Sequence, residues 1–213
     1  MTPIAFELTC IVLFLITCAL IIFRYKNQRD YWYALIGLSL CFAFEPLLDL
    51  SCGWALRYSW GFVMFPGTRI PLVMPLAYGW FYGLALILMI RNEDRIDALS
   101  LWKQPLILLS IFIVWDIVLE YPFASMTSYK YCWPEKWMLH GLTPIFAPIL
   151  MAVSNVATYY VHKFALRYSK GKSWGRGLLI HILAYYSMFA VATLLLFLLV
   201  KILGIHPTAA YYK

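Results

Sequence analysis

Four of the ten acidic residues of this chain lie within or at the ends of strongly apolar stretches. They form two pairs, Glu45 with Asp49 and Asp116 with Glu120, and the two members of each pair are four residues apart. Residues at this spacing lie on one face of a helix, one turn from each other. Because burial and mutual repulsion both favour the protonated form of a carboxyl group, one acid of such a set can donate a proton while another accepts one. The pattern predicts general acid–base chemistry in apolar surroundings.

The depth of these acids favours a functional role over a structural one. A charged acid at the centre of a bilayer costs at least about 2.5–3.5 kcal/mol on insertion scales, so such residues usually face a cavity, a partner or a substrate path. Glu45 and Asp116 lie deepest, and we expect the proton donor to be one of these two. Asp49 and Glu120 also fit ordinary helix ends in water. Arg69 is the natural counter-ion for the four carboxyls or can bind an oxygen of the substrate; the alternative is an interfacial arginine whose head reaches the water.

Other polar groups lie near the same predicted level, and metal-binding patterns are missing. Tyr78, Tyr82 and Asn155 can bind a substrate, although each also fits hydrogen bonding between helices. His162 and His181 lie near predicted helix ends and are expected at the membrane surface. The sequence has no H-E-x-x-H, no Cys/His cluster, no D-D-x-x-D and no Gly-rich phosphate loop. We therefore expect neither a metal nor a cofactor.

The composition decides the class of protein. Of the 213 residues, 63% are hydrophobic and only 13% are charged, whereas a soluble domain has roughly 45–50% apolar and about 25% charged residues. Such a chain cannot cover a water-facing surface, and it is too apolar to be disordered. The net charge of +7 comes from short basic clusters between apolar runs, which is typical of membrane-protein loops and not of nucleic-acid binding. The sequence predicts an integral membrane protein.

Six apolar runs of about 20 residues are long enough to cross a bilayer as helices. We predict one all-α transmembrane domain over residues 1–213, a six-helix bundle with spans near 3–23, 31–50, 71–90, 101–120, 141–162 and 178–203. The first run is followed by its basic residues and has no cleavage signal, so it is expected to remain as a span.

The basic residues orient the bundle. Loops 24–30, 91–103 and 163–177 contain eleven Lys and Arg residues, against six elsewhere. The positive-inside rule places these three loops in the cytoplasm and both termini outside. The two longer loops, 51–70 and 121–140, are rich in Trp and Tyr, so we expect them to lie on the opposite bilayer surface.

Several short motifs resemble those of the AveC-type spirocyclases, the membrane proteins associated with spiroketal formation in avermectin-type polyketides. Glu45-Pro-Leu-Leu-Asp49 is similar to that family's D-P-L-L-N-like segment. Trp115-Asp-Ile-Val-Leu-Glu120 resembles its D-x-x-x-E element, and Tyr129-Lys-Tyr131 resembles its downstream Y-x-Y. Carotenoid hydratases and membrane terpene cyclases are similar more weakly. The resemblance covers roughly residues 40–135 and implies cyclisation or hydration of a lipophilic chain, with Tyr129 at the substrate.

Two classes of function follow from these observations. The first is a metal-independent acid–base cyclase of secondary-metabolite biosynthesis, spirocyclase-like, acting on a lipophilic polyketide or isoprenoid chain; a terpene cyclase or a carotenoid hydratase is the alternative enzyme. The second is a non-enzymatic, proton-coupled small carrier. Carriers often have two repeated halves with matching broken helices, and neither is visible here. The expected partners are a lipophilic small molecule and membrane lipid, with no nucleic acid.

The predicted topology is testable by cysteine-accessibility mapping. Single cysteines placed in residues 163–177 should react with a membrane-impermeant reagent only from the cytoplasmic side, because these residues follow the positive-inside rule. Labelling of the same positions from outside would contradict the orientation.

Overall fold

The computed structural model describes the backbone of residues 3–26, 28–44, 46–48, 72–125, 131 and 133–205. Within these ranges the chain is all-helical, as predicted, apart from one short hairpin. The helices are α1 (Pro3–Ala19, continued by a π-helical turn, Leu20–Arg24), α2 (Arg29–Leu40, continued by a 3-10 turn, Cys41–Phe44), α3 (Met74–Arg91), α4 (Glu93–Asp97), α5 (Lys103–Ser125), α6 (Ala147–Ser169) and α7 (Trp174–Ile202).

Five segments of the described chain are long and apolar enough to cross a membrane, namely Ala5–Arg24, Arg29–Leu48, Met74–Arg91, Lys103–Pro122 and Trp174–Ile202. They match five of the six predicted spans. The remaining one, 141–162, is helical only from Ala147. Helix α6 is as long as α5, at 23 residues, but it is not among the five because polar residues interrupt its apolar face: Ser154, Asn155, Thr158 and His162. The structure is thus consistent with a membrane protein.

The helices have a simple order of neighbours. Helix α6 lies between α5 and α7, α7 packs on α2, and α2 packs on α3, which also contacts α1 and α6. Three fully buried tyrosines, Tyr33, Tyr159 and Tyr185, come from α2, α6 and α7. The arrangement leaves α3, α5, α6 and α7 around a common interior.

Two helices change their winding near the candidate site. Helix α2 tightens into the 3-10 turn Cys41–Phe44 just before Pro46, because a proline ring clashes with the carbonyl four residues earlier. Helix α3 widens into a π-helical turn at Gly79–Gly83. Such turns occur frequently at functional sites.

The chain before α6 is extended, contrary to the predicted helix from residue 141. Strand β1 (Met138–Leu139) pairs antiparallel with β2 (Thr143–Pro144), in the register Met138↔Pro144. His140 and Gly141 have φ values of 50° and 69° and form the turn. A proline has no N–H group for a helix interior, so Pro144 ends the strand and Pro148 occupies the first turn of α6.

Two further expectations are corrected by burial. Tyr131 and Trp133, predicted on the bilayer surface, are buried in the protein, so this part of the aromatic loop folds inward. His162 and His181, predicted at the membrane surface, are 0% exposed. Antiparallel packing of α6 on α7 covers both imidazoles.

An ion-pair cluster fixes the loop between α3 and α5. The Lys163 ammonium of α6 lies 2.8 Å from Glu93 Oε1 and 2.8 Å from Asp97 Oδ2 of α4. Partial burial alone lowers the pKa of Lys163, but hydrogen bonds to Asp97 and Glu93 outweigh burial, and the pKa is raised above that of a free lysine. Lys163 therefore stays charged at neutral pH, joining α4 to α6 at the predicted cytoplasmic end.

Helix α7 approaches α2 closely at Gly177. A Cβ atom on Gly177 would lie 2.7 Å from Cζ of Tyr33, whose hydroxyl donates a hydrogen bond to the Trp174 carbonyl at 3.1 Å. The Tyr33 ring is fully buried and cannot turn away. Glycine is required here for lack of space.

We predict that Gly177→Ala destabilises the protein by about 1–3 kcal/mol, the usual cost of overpacking. Gly175 lies in the same helix, and a Cβ there meets nothing within 4 Å. Gly175→Ala should therefore leave the stability unchanged or raise it slightly, because alanine favours helix. Thermal unfolding in detergent measures both, and equal melting temperatures for the two variants would contradict the close approach.

Candidate active site

A cavity of about 640 Å³ lies among the helices, within the usual 300–1,000 Å³ range of small-molecule sites. Its wall is mostly apolar, with contributions from α1, α3, α5, α6 and α7 and from Leu48. The polar side chains of the wall are few: Tyr78, Tyr82, Glu120, Tyr131, Ser154, Ser187 and Thr193. An apolar chamber with a few convergent polar groups is the usual form of a lipophilic-ligand site.

The strongest polar feature of this wall is Glu120 at the end of α5. Its carboxylate Oε1 accepts a hydrogen bond from the Tyr131 hydroxyl. Both residues are buried, with 7% and 5% of their surfaces exposed, and both line the cavity. The buried position of Tyr131 therefore places a phenol against the acid.

Asp116 lies one helical turn before Glu120 and is more deeply buried, with 1% exposed. Its carboxyl group interacts with that of Glu120, and its Oδ1 has no hydrogen-bond partner among the described residues. Two neighbouring carboxyl groups in apolar surroundings favour a state in which they carry a single negative charge between them. Asp116 is not part of the cavity wall, so Glu120 is the acid that faces the cavity and Asp116 supports it from behind. The deeper acid of the pair is thus not the one that can reach a ligand.

Another part of the cavity wall is aromatic. Trp80, Phe81 and Tyr82 are consecutive residues of the π-helical turn in α3, and all three line the cavity together with Tyr78. The Tyr78 and Tyr82 ring centroids are 5.3 Å apart. The Tyr82 hydroxyl donates to the Met151 sulfur at 3.0 Å. Tyr78 and Tyr82, which the sequence predicts to bind a substrate, thus both line the cavity.

Asn155, also predicted to bind a substrate, is not in the wall. It is buried, and its Nδ2 donates to the Met151 carbonyl one turn earlier at 3.1 Å. The neighbouring Ser154 lines the cavity instead. Adjacent residues on a helix are about 100° apart, so the cavity-facing position is Ser154.

The cavity opens sideways along the seam between α6 and α7. Its lining includes side chains that are also exposed on the outer faces of these helices, among them Val153, Phe164, Val191 and Leu195. Small residues line the seam between them, namely Ser154, Ala157, Ala184 and Ala192. The opening therefore lies on an apolar outer surface.

Four predicted site residues, Glu45, Asp49, Arg69 and Tyr129, lie outside the described residues. Leu48, which is three residues after Glu45 and one before Asp49 in the sequence, lines the cavity. The predicted meeting of the two acid pairs at one cavity therefore stays a prediction. Leu48 places the end of the second predicted span at the wall of this cavity.

No protein-family model, no curated protein and no solved structure matches the chain. The resemblance to spirocyclases therefore rests on its short motifs alone. One residue of those motifs, Tyr131, contacts Glu120. Our sequence analysis chose Tyr129 as the site residue of the Y-x-Y motif and missed Tyr131. The Y-x-Y spacing is the signal in the sequence that could have identified Tyr131.

Proposed function

We propose that this protein is an integral membrane enzyme that uses carboxyl acid–base chemistry on a neutral, lipophilic substrate. The observation that carries the proposal is the buried Glu120 carboxyl, which is hydrogen-bonded to Tyr131 and has Asp116 one turn away, at a mostly apolar cavity. Intramembrane acids mark functional sites by default because their burial is costly.

The outer surface supports the membrane assignment. Large apolar side chains are exposed along the outward faces of the long helices, such as Leu15, Val114, Val118 and Leu195, each 59–61% exposed. Contiguous apolar patches of this kind are rare on soluble monomers. We propose that α6 spans the bilayer with the five apolar segments, that Lys163 marks its cytoplasmic end, and that six helices form the bundle.

The carboxyl pair provides both halves of an acid–base reaction. A protonated Glu120 can donate to a carbonyl oxygen or a departing hydroxyl group in the cavity. The pair then holds one proton fewer and accepts the proton of an attacking hydroxyl. In spiroketal formation two hydroxyl groups add to one ketone and one water leaves, so protons are returned and none is consumed.

The aromatic wall contributes orientation and charge stabilisation. Tyr78, Phe81 and Tyr82 can hold a flexible chain in a folded shape. The substrate then loses its conformational entropy on binding, so this loss no longer adds to the barrier of the reaction. If the substrate is an isoprenoid, the same acid protonates an alkene or epoxide, and the ring faces stabilise the resulting cation. Because of the motif resemblance, we favour cyclisation of a polyketide as the reaction. The alternative is the reaction of a terpene cyclase or a carotenoid hydratase.

We predict that Glu120→Gln lowers the single-turnover rate by about 10²–10⁴-fold, because the amide keeps the shape but has no transferable proton. Asp116→Asn removes the partner carboxyl and should also lower the rate. The matched control is Glu135→Gln, since Glu135 is exposed. Turnover of a dihydroxyketone or a polyene by purified protein in detergent, without an ion gradient, is the measurement. Near-normal rates in both acid variants would exclude this chemistry.

The side opening gives a second prediction. Ala157→Phe should fill the α6–α7 seam and lower kcat/KM by about tenfold or more, equivalent to about 1.4 kcal/mol. Ala190→Phe adds the same ring at an exposed position of α7 that is not in the cavity wall, and it should have no effect. The assay uses a membrane-dissolved substrate in vesicles. Equal loss in both variants would point to a general disturbance of the helix packing rather than to a blocked opening.

A further inference from the structure

The cavity is much longer than the chamber beside Glu120, because it continues along α6 and α7 as a groove. On α6 the wall extends from Leu150 to Phe164, and on α7 from Ala184 to Leu196. The part that leads away from the chamber is called the seam groove here, and it is lined by Ser154, Ala157, Val161, Phe164, Ala184 and Ser187. From Met151 in the chamber to Phe164 the helix rises about 20 Å, at about 1.5 Å per residue.

Two hydrogen bonds show which end of α6 lies beside the acid. The Tyr82 hydroxyl donates to the Met151 sulfur at 3.0 Å, so the first turns of α6 lie at the aromatic wall of the chamber. The Tyr160 hydroxyl donates to Gln104 Oε1 at 3.3 Å, which joins the end of α6 to the start of α5. Glu120 is near the other end of α5. The seam groove therefore leads from the chamber with the acid towards the far end of α6.

The chemistry of the seam groove suits an uncharged chain. Its side chains are small or apolar, and the Ser187 hydroxyl already donates to the Leu183 carbonyl of its own helix at 2.9 Å. The wall residues that the structure describes include no Lys, Arg, His or Asp, and Glu120 lies in the chamber. A charged group in the seam groove would thus lack a counter-ion in that wall, and burying an unpaired charge is costly.

The seam groove has a defined end. Next to Val161 and Ala184, the interior between α6 and α7 is filled by His162 and His181, which are both 0% exposed and have ring centroids 4.9 Å apart. On the outer side, Phe164 is the last residue of α6 in the wall. A chain that lies in the groove therefore has a limited length available to it.

We propose that the seam groove binds the straight apolar tail of the substrate while the reactive part of the same molecule lies in the chamber beside Glu120. This inference rests on the proposed function and specifies the substrate as a neutral, linear, single-chain lipid. An extended chain advances about 1.2 Å per bond, as the roughly 3.6 Å of an extended residue with three backbone bonds shows. The distance of about 20 Å along α6 then corresponds to a tail of about 16 bonds.

Continuity with the chamber favours the substrate as the occupant over a membrane phospholipid. A phospholipid has two chains and a charged headgroup, and the described wall has no cation to pair with a phosphate. A tail that enters from the bilayer leaves no water, so its contacts with the groove do not add hydrophobic free energy. They fix the position of the reactive carbon relative to Glu120, and small errors in such a position are costly in rate.

The first test measures binding and needs no turnover. The probe is a linear dihydroxyketone with a straight alkyl tail that carries a photoreactive diazirine at its end, added to vesicles that contain the full-length protein. Illumination should label the peptide with Val161 and Phe164, and an excess of the same ketone without diazirine should remove the label. A diazirine beside the ketone should instead label the peptide with Tyr78 and Tyr82. Glu120→Gln should keep the tail label, because the groove does not include the acid.

The second test measures the preferred tail length. Val161→Trp should fill the groove one turn before its end and lower kcat/KM for the full-length tail by about tenfold or more. Val161 lies three residues, or about 4.5 Å, before Phe164, so a tail shorter by about four bonds should keep its rate. Leu183→Trp adds the same ring at a position that is 59% exposed and outside the wall, and it should not change the preferred length.

The inference is overturned if the tail probe labels only the chamber, or if Val161→Trp leaves the preferred tail length unchanged. Labelling that the ketone does not compete away also overturns it, because the groove would then hold ordinary membrane lipid. A groove that stays unlabelled while α6 and α7 cross-link to a second copy of the chain has the same consequence. If the competed tail label is present but Glu120→Gln turns over normally, the acid chemistry is wrong and the tail site is supported.

Discussion

The burial of two neighbouring carboxyl groups, Asp116 and Glu120, sets the strongest constraint on the interior of this protein. An uncompensated charge is costly in such surroundings, so these groups need hydrogen-bond partners or a shared proton. The Tyr131 hydroxyl satisfies Glu120 from the other side. The burial of Tyr131 follows from this need, since a tyrosine on the surface could not reach a buried acid. The site and the burial of Tyr131 depend on the same contact.

The apolar part of the site depends on an irregularity of α3. A regular α-helix spreads three consecutive side chains around most of its circumference. The π-helical turn Gly79–Gly83 places Trp80, Phe81 and Tyr82 along one cavity. At Gly83 a Cβ atom would lie 3.2 Å from the Leu35 Cα, so the absence of a side chain lets α2 and α3 approach where the turn widens. The aromatic wall is therefore supported by backbone packing.

The sequence predicts much of this arrangement, and its failures have physical reasons. The lengths of the apolar runs predicted the bounds of five long apolar segments to within a few residues. This works because the thickness of a bilayer sets the length of a helix that can cross it. The start of the fifth predicted span was wrong, since the residues from Gly141 to Pro144 are apolar enough for a helix but have turn and strand chemistry. The i, i+4 spacing correctly predicted that Asp116 lies beside Glu120. Spacing alone, however, cannot show that only Glu120 of this pair lines the cavity. The contact between His162 and His181 depends on the antiparallel register of α6 and α7, which no local pattern reveals.

For the membrane enzyme proposed above, the seam between α6 and α7 would change which concentration of substrate controls binding. A molecule that reaches the cavity through an apolar outer surface comes from the lipid and not from water. The quantity that controls occupancy is then its mole fraction in the bilayer, so added lipid dilutes it even when the aqueous amount is constant. Encounter becomes a two-dimensional search, and a product that leaves by the same route stays in the membrane where it can compete with fresh substrate.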